Sequence, residues 1–160
     1  MVRKFAVSLV AISMLVVLAP HADAADNHAG CTVAGVVGPT PGVAYAPQAG
    51  TYDIKGYIDC MSDGANHGTL VGTGTGTIGC LGGYSTAALK ILWEGDKTST
   101  LTLQLGDFTY GTGGGGTVDD GEYKGSHVMV GWGRYSAGAE MRCGTGGVKS
   151  YEFAGGMMIG

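Results

Sequence analysis

The chain has 160 residues, 32 of them glycine, and a formal net charge of −4. This length suits one domain that buries its own core. A mildly acidic chain without a cluster of lysine or arginine lacks the basic surface that nucleic acids and anionic lipids require, so neither is expected as a partner.

Residues 1–24 have the pattern of a secretory signal peptide. A short Arg-Lys start precedes the uncharged apolar run Phe5–Ala19, and Ala22–Ala24 forms a small-x-small cleavage site. The apolar run is shorter than the roughly 20 residues that span a bilayer. We therefore expect cleavage after Ala24, an extracellular location and no membrane attachment after cleavage. The mature net charge becomes −5, because two basic residues and one acidic residue are lost.

The three prolines of the mature chain are concentrated near its start, within residues 25–50. Proline has no backbone N–H to donate inside a sheet, so it is confined to loops, edge strands and bulges. We therefore predict a flexible or edge segment over residues 25–50, in which Cys31–Val37 has enough alternation for a first strand. The β domain proper is predicted over residues 51–160.

Alternation with a period of two residues marks the strands of this domain. Thr51–Cys60 is the clearest case, since Tyr52, Ile54 and Ile58 fall on one face and polar residues on the other. In Gly68–Cys80 threonine alternates with glycine, and a bare glycine face is commonly covered by an aromatic side chain of an adjacent strand. The later predicted strands are Ser85–Trp93, Thr98–Leu105, Phe108–Thr112, Ser126–Arg134 and Val148–Ile159.

Turn signals separate these strands at short intervals, and helix signals are nearly absent. Glu94–Lys97, Gly113–Gly116 and Val118–Gly125 are predicted turns. Eight or nine strands with such spacing predict an all-β fold, a single antiparallel β-sandwich or a flattened barrel.

All four cysteines belong to the mature chain, and an even number in a small secreted domain indicates two disulfides. Three pairings are open. We favour Cys31–Cys60, which joins the first segment to the end of the next strand, and Cys80–Cys143, which joins two distant segments across the core. A zinc site is not expected, because the chain has no C-x-x-C pair.

The motifs from Gly68 onwards resemble a broad group of small secreted proteins of filamentous Gram-positive bacteria. That group has a threonine- and glycine-rich strand ending in cysteine, a W-x-(x)-G-x-T-S-T hairpin and a G-T-V-x-x-G-x-(Y/F)-x-G segment. The matching positions are Cys80, Trp93, Gly95, Thr98, Ser99, Thr100, Gly116, Thr117, Val118, Gly121, Tyr123, Gly125 and Cys143. The resemblance implies a shared fold and, since some members are similar to small adaptor subunits of secreted antibacterial particles called umbrella toxins, other secreted protein subunits as partners. The shared motifs carry no binding residues.

Two glycine-rich segments match the pattern G-x-G-x-x-G. Gly74–Gly79 lies inside a predicted strand, and Gly111–Gly116 precedes a turn and another strand. Phosphate binding requires a helix that begins at such a loop, so we expect no cofactor.

The acidic turn around Gly121 holds Asp119, Asp120 and Glu122, which are ligand types for Ca²⁺. Their spacing does not match an EF-hand, and a solvated turn that keeps a sheet edge charged is the favoured interpretation. Calcium binding stays open, and no metal ligand is assigned.

Catalytic signals are weak. His28, His67 and His127 remain after cleavage, but no G-x-S-x-G motif accompanies them. We therefore expect a protein that is not an enzyme.

The favoured function is a non-catalytic secreted module for protein interaction. Its candidate binding surface consists of Tyr57, Tyr84, Tyr123 and Tyr135, because exposed tyrosines often anchor protein or sugar contacts, although they also cover neighbouring glycines. Two alternatives remain, a hydrolase inhibitor that presents the loop Ser62–His67 and a carbohydrate or cell-wall binder.

Overall fold

The structure is a computed structural model, and it describes residues 28–61, 67–108, 111–136, 139–140 and 147–160. The predicted signal peptide lies outside these residues. They form nine strands and no helix, so no helix of the described chain is long and apolar enough to cross a membrane. The strands are β1 Ala29–Thr40, β2 Gln48–Met61, β3 His67–Ile78, β4 Gly83–Trp93, β5 Thr98–Phe108, β6 Gly111–Gly121, β7 His127–Ser136, β8 Ala139–Glu140 and β9 Tyr151–Ile159.

Eight of these strands close into an antiparallel barrel. From β1 to β7 each strand pairs with the next one along the chain, and β9 pairs with both β7 and β1. The pairing register shifts around the ring. When directly paired residues are followed from strand to strand, starting at Pro39 of β1 and passing through Leu103 of β5, they lead back to β1 at Ala29 and not at Pro39. Such a stagger is what tilts the strands of a barrel. The short strand β8 pairs only with the end of β7 among the described residues.

Alternate residues of each strand fill the interior, as the sequence alternation predicts. Leu89, Ile91, Leu101 and Leu103 are buried on β4 and β5, and Met157 on β9, while their neighbours face solvent. The fold class is therefore confirmed as all-β and antiparallel, with the sheet closed into a barrel.

The glycine face of β3 is covered from inside, as expected. The Tyr52 ring of β2 lies where a side chain on Gly74 would stand, and its hydroxyl shares a 2.8 Å hydrogen bond with Ser85 Oγ. A larger residue at position 74 would displace the ring, so the glycine sets the position of this hydrogen bond.

The disulfide Cys31–Cys60 is confirmed. The two cysteines are directly opposite each other on β1 and β2, with Cα atoms 3.9 Å apart. Cys80 is buried and is not a free thiol. Its predicted partner Cys143 lies outside the described residues, so the second predicted pairing stays a prediction.

Two features differ from the expectations. The sequence predicts a flexible or edge segment over residues 25–50, yet β1 pairs with β2 over Gly30–Thr40 and with β9 over Ala29–Val37. The reason is that Val33 and Val37 continue the buried alternation past the glycines. The predicted turn Gly113–Gly116 is wrong, and the predicted turn Val118–Gly125 is wrong in extent. One strand, β6, runs through the first and into the second, and only residues 122–125 form a turn.

The ends of the barrel carry different polar groups, and we name them after their buried residues. At the Trp93 end, where β1 begins, Trp93 Nε1 donates to Ser99 Oγ at 2.8 Å, and Ser99 Oγ donates to the Glu122 carbonyl at 2.6 Å. The Tyr123 ring packs edge-on against Trp93, with ring centroids 5.8 Å apart. The serine thus fastens the β6–β7 turn to the β4–β5 hairpin.

Replacing Ser99 with alanine removes one bridging group and leaves both the Trp93 N–H and the Glu122 carbonyl without this partner. We expect the S99A variant to lose about 1–3 kcal/mol of unfolding free energy in urea denaturation. Thr100→Ala, at the exposed neighbouring position, is the control and should lose less than about 1 kcal/mol. Equal losses in the two variants would contradict the bridging role.

Candidate functional site

The barrel interior has no room for a ligand at the places that the described residues define. A space lined by Leu70, Leu89 and Phe153 among others has no room for even one water molecule. A second space, between Tyr52, Asp107 and Thr112, has about 10 Å³. Small-molecule pockets usually have roughly 300–1,000 Å³, and this space is about the size of one water molecule. The outer surface and the barrel ends are therefore the places where a functional site fits.

A buried charged residue lies at the end opposite Trp93, which we call the Arg134 end. The Arg134 side chain of β7 is fully buried and donates to the carbonyl oxygens of Gly79, at 3.3 Å, and of Phe108. Its Nη1 atom is 3.9 Å from Asp107 Oδ2, and Asp107 Oδ1 accepts a 2.6 Å hydrogen bond from Thr112. The guanidinium group therefore ties β7 to β5 and to the residue that follows β3.

Burial controls the charge states at this end. Desolvation raises the pKa of Asp107 above its usual 3.8, although the Thr112 hydrogen bond and the Arg134 charge both oppose the rise. Burial likewise raises the pKa values of Tyr151 and Tyr52, so both phenols stay protonated at neutral pH. These groups are packed inside the barrel, where a substrate does not reach them, and the cluster is interpreted as structural.

The most unusual exposed feature is a barrel face that is nearly free of charge. We define the glycine wall as the outward-facing residues of β1, β7, β9 and the first seven residues of β6. Only Glu152 among these described residues is an Asp, Glu, Lys or Arg. The outward residues are Gly30, Thr32, Ala34, Val36, Gly38, Thr40, Gly111, Gly113, Gly115, Thr117, His127, Met129, Gly131, Gly133, Tyr135, Glu152, Ala154, Gly156 and Met158. The outer face of β2, by contrast, presents Asp53, Lys55 and Asp59.

A row of methionines borders this wall near the Trp93 end. Gly30 of β1 is opposite Met61 on one side and Met158 on the other, and Met158 is opposite Met129. We call these four positions the methionine row. The three methionines are 87%, 67% and 69% exposed in the order Met61, Met158 and Met129. They line a shallow groove of about 430 Å³ whose floor includes Gly131 and Gly156.

The four predicted tyrosines do not form one surface. Tyr57 and Tyr84 are exposed on β2 and β4, whereas Tyr123 packs on Trp93 at the opposite end from Tyr84. The Tyr135 ring covers Gly133, since a Cβ atom on that glycine would be 2.7 Å from the Tyr135 hydroxyl. Sequence reasoning missed the methionine row, because the four residues are far apart in the chain and only the register brings them into one line.

The acidic turn is engaged in separate contacts. Asp119 accepts hydrogen bonds from Thr102 and Thr117, Asp120 forms a 3.0 Å ion pair with Lys124, and Glu122 forms one of 3.0 Å with Lys97. Among the residues that the structure describes, no group of three histidine, cysteine or acidic side chains is arranged to hold a metal ion.

The three described histidines, His28, His67 and His127, are exposed. His67 Nδ1 is 3.1 Å from Asp59 Oδ1, with both side chains more than half exposed, and His127 lies on the outer face of β7. Residues 62–66, which form most of the predicted inhibitor loop, lie outside the described residues.

Comparison with known proteins yields no match to a protein-family model, to a curated protein or to a solved structure. The resemblance to small secreted proteins of filamentous Gram-positive bacteria therefore stays a prediction from the sequence motifs. The structural roles of Trp93, Ser99 and Tyr123, three of its motif positions, are contacts within the fold.

Replacing Arg134 with methionine removes the cation beside the buried Asp107 carboxylate. At pH 7 we expect the R134M variant to lose about 3–5 kcal/mol of unfolding free energy, as is typical when one partner of a buried ion pair is removed. Folding raises the pKa of Asp107 above 3.8, and it rises further without Arg134. The folded protein therefore holds the Asp107 proton more tightly than the unfolded chain does. The contribution of Asp107 to the unfolding free energy falls as the pH rises from the usual pKa of 3.8 through the raised pKa of the folded state.

Urea denaturation at pH 7 and pH 4.5 measures this effect. The loss of unfolding free energy in R134M should be smaller at pH 4.5 than at pH 7. The loss should also be smaller in an Asp107→Asn background, because no buried carboxylate is then left without its cation. A loss that is independent of pH and of residue 107 would contradict the coupling.

Proposed function

We propose that this protein is a non-catalytic secreted interaction module that binds a partner protein through its glycine wall. The observation that carries the proposal is the nearly uncharged wall bordered by exposed methionines, on a barrel without a ligand-sized cavity at the places described above. Contiguous exposed apolar surface on a soluble protein commonly marks an interaction site.

The chemistry of the wall specifies the partner surface. A nearly uncharged wall desolvates at low cost against an uncharged apolar surface and at high cost against a charged one. Methionine side chains adapt their shape to such a surface. Bare positions such as Gly131 and Gly156 let the partner approach the sheet backbone closely. The partner therefore presents apolar side chains in an uncharged patch.

Closure of the barrel also limits how a partner docks. Each of the eight barrel strands pairs on both sides, so no long described strand offers a free edge for the addition of a partner strand. Binding across the face of the barrel is the remaining mode, and it is the mode that the wall provides.

The proposal includes export and a second disulfide. The disulfide Cys31–Cys60 is of the kind that persists in oxidising compartments, which is compatible with an extracellular protein. We place cleavage after Ala24 and pair Cys80 with Cys143. The adaptor role in a secreted antibacterial toxin complex is the most concrete form of the proposal, and its support is the resemblance in sequence motifs alone.

A carbohydrate or cell-wall binder is the second candidate. Tyr57 and Tyr84 favour it, because they are 60% and 80% exposed and flat aromatic rings stack on sugars. Loss of binding on a glycan array in the Tyr84→Ala variant, with binding kept in a variant of the glycine wall, would select this function instead.

A lysine placed on the wall tests the leading proposal. An ideal Cβ at Gly131 meets nothing within 4 Å, so Gly131→Lys adds a charge without disturbing the packing. We expect the purified mature protein to capture a secreted protein from the culture supernatant of its source organism. Calorimetry with that purified partner should show at least tenfold weaker binding to G131K than to the wild type.

Thr75→Lys is the matched control, since Thr75 is exposed on β3 away from the wall. It should bind like the wild type, and both variants should keep the wild-type melting temperature. Capture that survives Gly131→Lys unchanged, or a wild type that stays monomeric and captures nothing at its native concentration, would overturn the proposal.

A further inference from the structure

We infer that Met61, Met129 and Met158 form a site of oxidative modification, at which a peroxide converts the three exposed thioethers to sulfoxides. The modification makes the border of the glycine wall polar and keeps the fold intact. The oxidation goes beyond the proposed partner binding and does not depend on it. Its effect on a bound partner rests on the proposed function and is measured separately.

Exposure selects these three sulfurs among the methionines of the mature chain, which are Met61, Met129, Met141, Met157 and Met158. Met61, Met129 and Met158 are 87%, 69% and 67% exposed. Met157 is 1% exposed and packs in the barrel core, although it adjoins Met158 in sequence. Oxidation of methionine follows the access of the oxidant to the sulfur. Met141 lies outside the described residues and is not assigned to the site.

The groove around the row does not shield these side chains. Gly30 lies between Met61 and Met158, and beyond its chain neighbours no heavy atom is within 4 Å of where its Cβ would stand. The same holds for Gly131, which follows Met129 by two residues on the outer face of β7. Each thioether reacts by itself, so the site requires that each side chain is open to solvent and not that the sulfurs touch one another.

The chemical step balances with hydrogen peroxide as the only other reactant. A lone pair of the sulfur attacks one peroxide oxygen, an S–O bond forms, and the O–O bond breaks. The sulfur loses two electrons and the peroxide gains them. The second oxygen leaves as hydroxide and takes the proton of the first, which gives one sulfoxide and one water. Among the described residues no free cysteine competes for the oxidant.

Oxidation changes the polarity of the wall and leaves its charge unchanged. A sulfoxide is neutral, but it turns a flexible apolar side chain into a polar one. Glu152 is the one Asp, Glu, Lys or Arg among the described outward residues of the wall, so three added sulfoxide oxygens are a large change there. An apolar partner offers these oxygens no donor, and burying them without one is costly. The barrel keeps its core contacts, because Met157 is spared.

Peroxide mapping of the mature folded protein tests the site. We expect hydrogen peroxide to oxidise Met61, Met129 and Met158 at least about tenfold faster than Met157. Tandem mass spectrometry resolves Met157 from Met158 and measures each rate. After unfolding in urea all four should react at similar rates, because the fold is what protects Met157. A rate at any of the three that is as slow as that of Met157 in the folded protein would overturn the inference.

Hydrophobic interaction chromatography measures the change in surface polarity without any partner. The oxidised wild type should elute earlier than the untreated protein and keep its melting temperature. The matched control combines Met61→Leu, Met129→Leu and Met158→Leu, since leucine keeps nearly the volume of methionine and removes the sulfur. This variant retains the other methionines, and peroxide should leave its elution unchanged. An equal shift in the control, no shift in the wild type, or a lower melting temperature after oxidation contradicts the inference.

The partner measurement separates this inference from the proposed function. Oxidised wild type should bind the purified partner at least about tenfold more weakly than the untreated protein, because the sulfoxides are desolvated without donors. Peroxide should not change the affinity of the triple leucine variant. If the wild type captures no partner, the proposed function fails, while the oxidation rates and the elution shift still decide whether the site exists.

Discussion

The backbone pairing of β9 between β7 and β1 is the constraint on which the rest of the structure depends. Without this pairing the sheet would stay open. Strand β1 would then be one edge strand and either β7 or β9 the other, each with an unpaired side. With it, every barrel strand has two hydrogen-bonded neighbours, and each residue must face either the packed interior or solvent. The closed register also fixes which outward residues are neighbours, so Met61, Gly30, Met158 and Met129 fall into one line.

Glycine acts differently on the two sides of this closed sheet. Inside, Gly74 makes room for the Tyr52 ring, which brings the Tyr52 hydroxyl to Ser85. Outside, Gly131 and Gly156 add no side chain to the wall, so these positions have no polar side chain to desolvate. The same composition therefore serves packing on one face and exposure of an apolar surface on the other. The interior spaces that the described residues define have no room for a ligand, so the binding that we propose falls to this outer surface.

The sequence predicts those features that depend on alternation and much less of what depends on register. The alternation in Thr51–Cys60 predicts the buried face correctly. The position of Cys60 at the end of the strand that follows the first segment favours its pairing with Cys31 among three open pairings, and that pairing is confirmed. The predicted extent of β6 is wrong. Its glycine run and its Asp-Asp-Gly segment have the composition of turns, but pairing with β5 and β7 holds them extended. The glycine wall and the methionine row are not local patterns. They arise from the order of strands around the ring, which no short window of sequence contains.

Methionine, rather than leucine, at the three exposed positions of the row suits a surface that adapts to what it contacts. The methionine side chain is unbranched and has three rotatable bonds, so it changes shape without any movement of the sheet, whereas leucine offers similar apolar area in a stiffer form. A charge placed at Gly131 acts on the same contact from the floor of the groove, because it raises the cost of desolvating the wall while the three methionines stay in place.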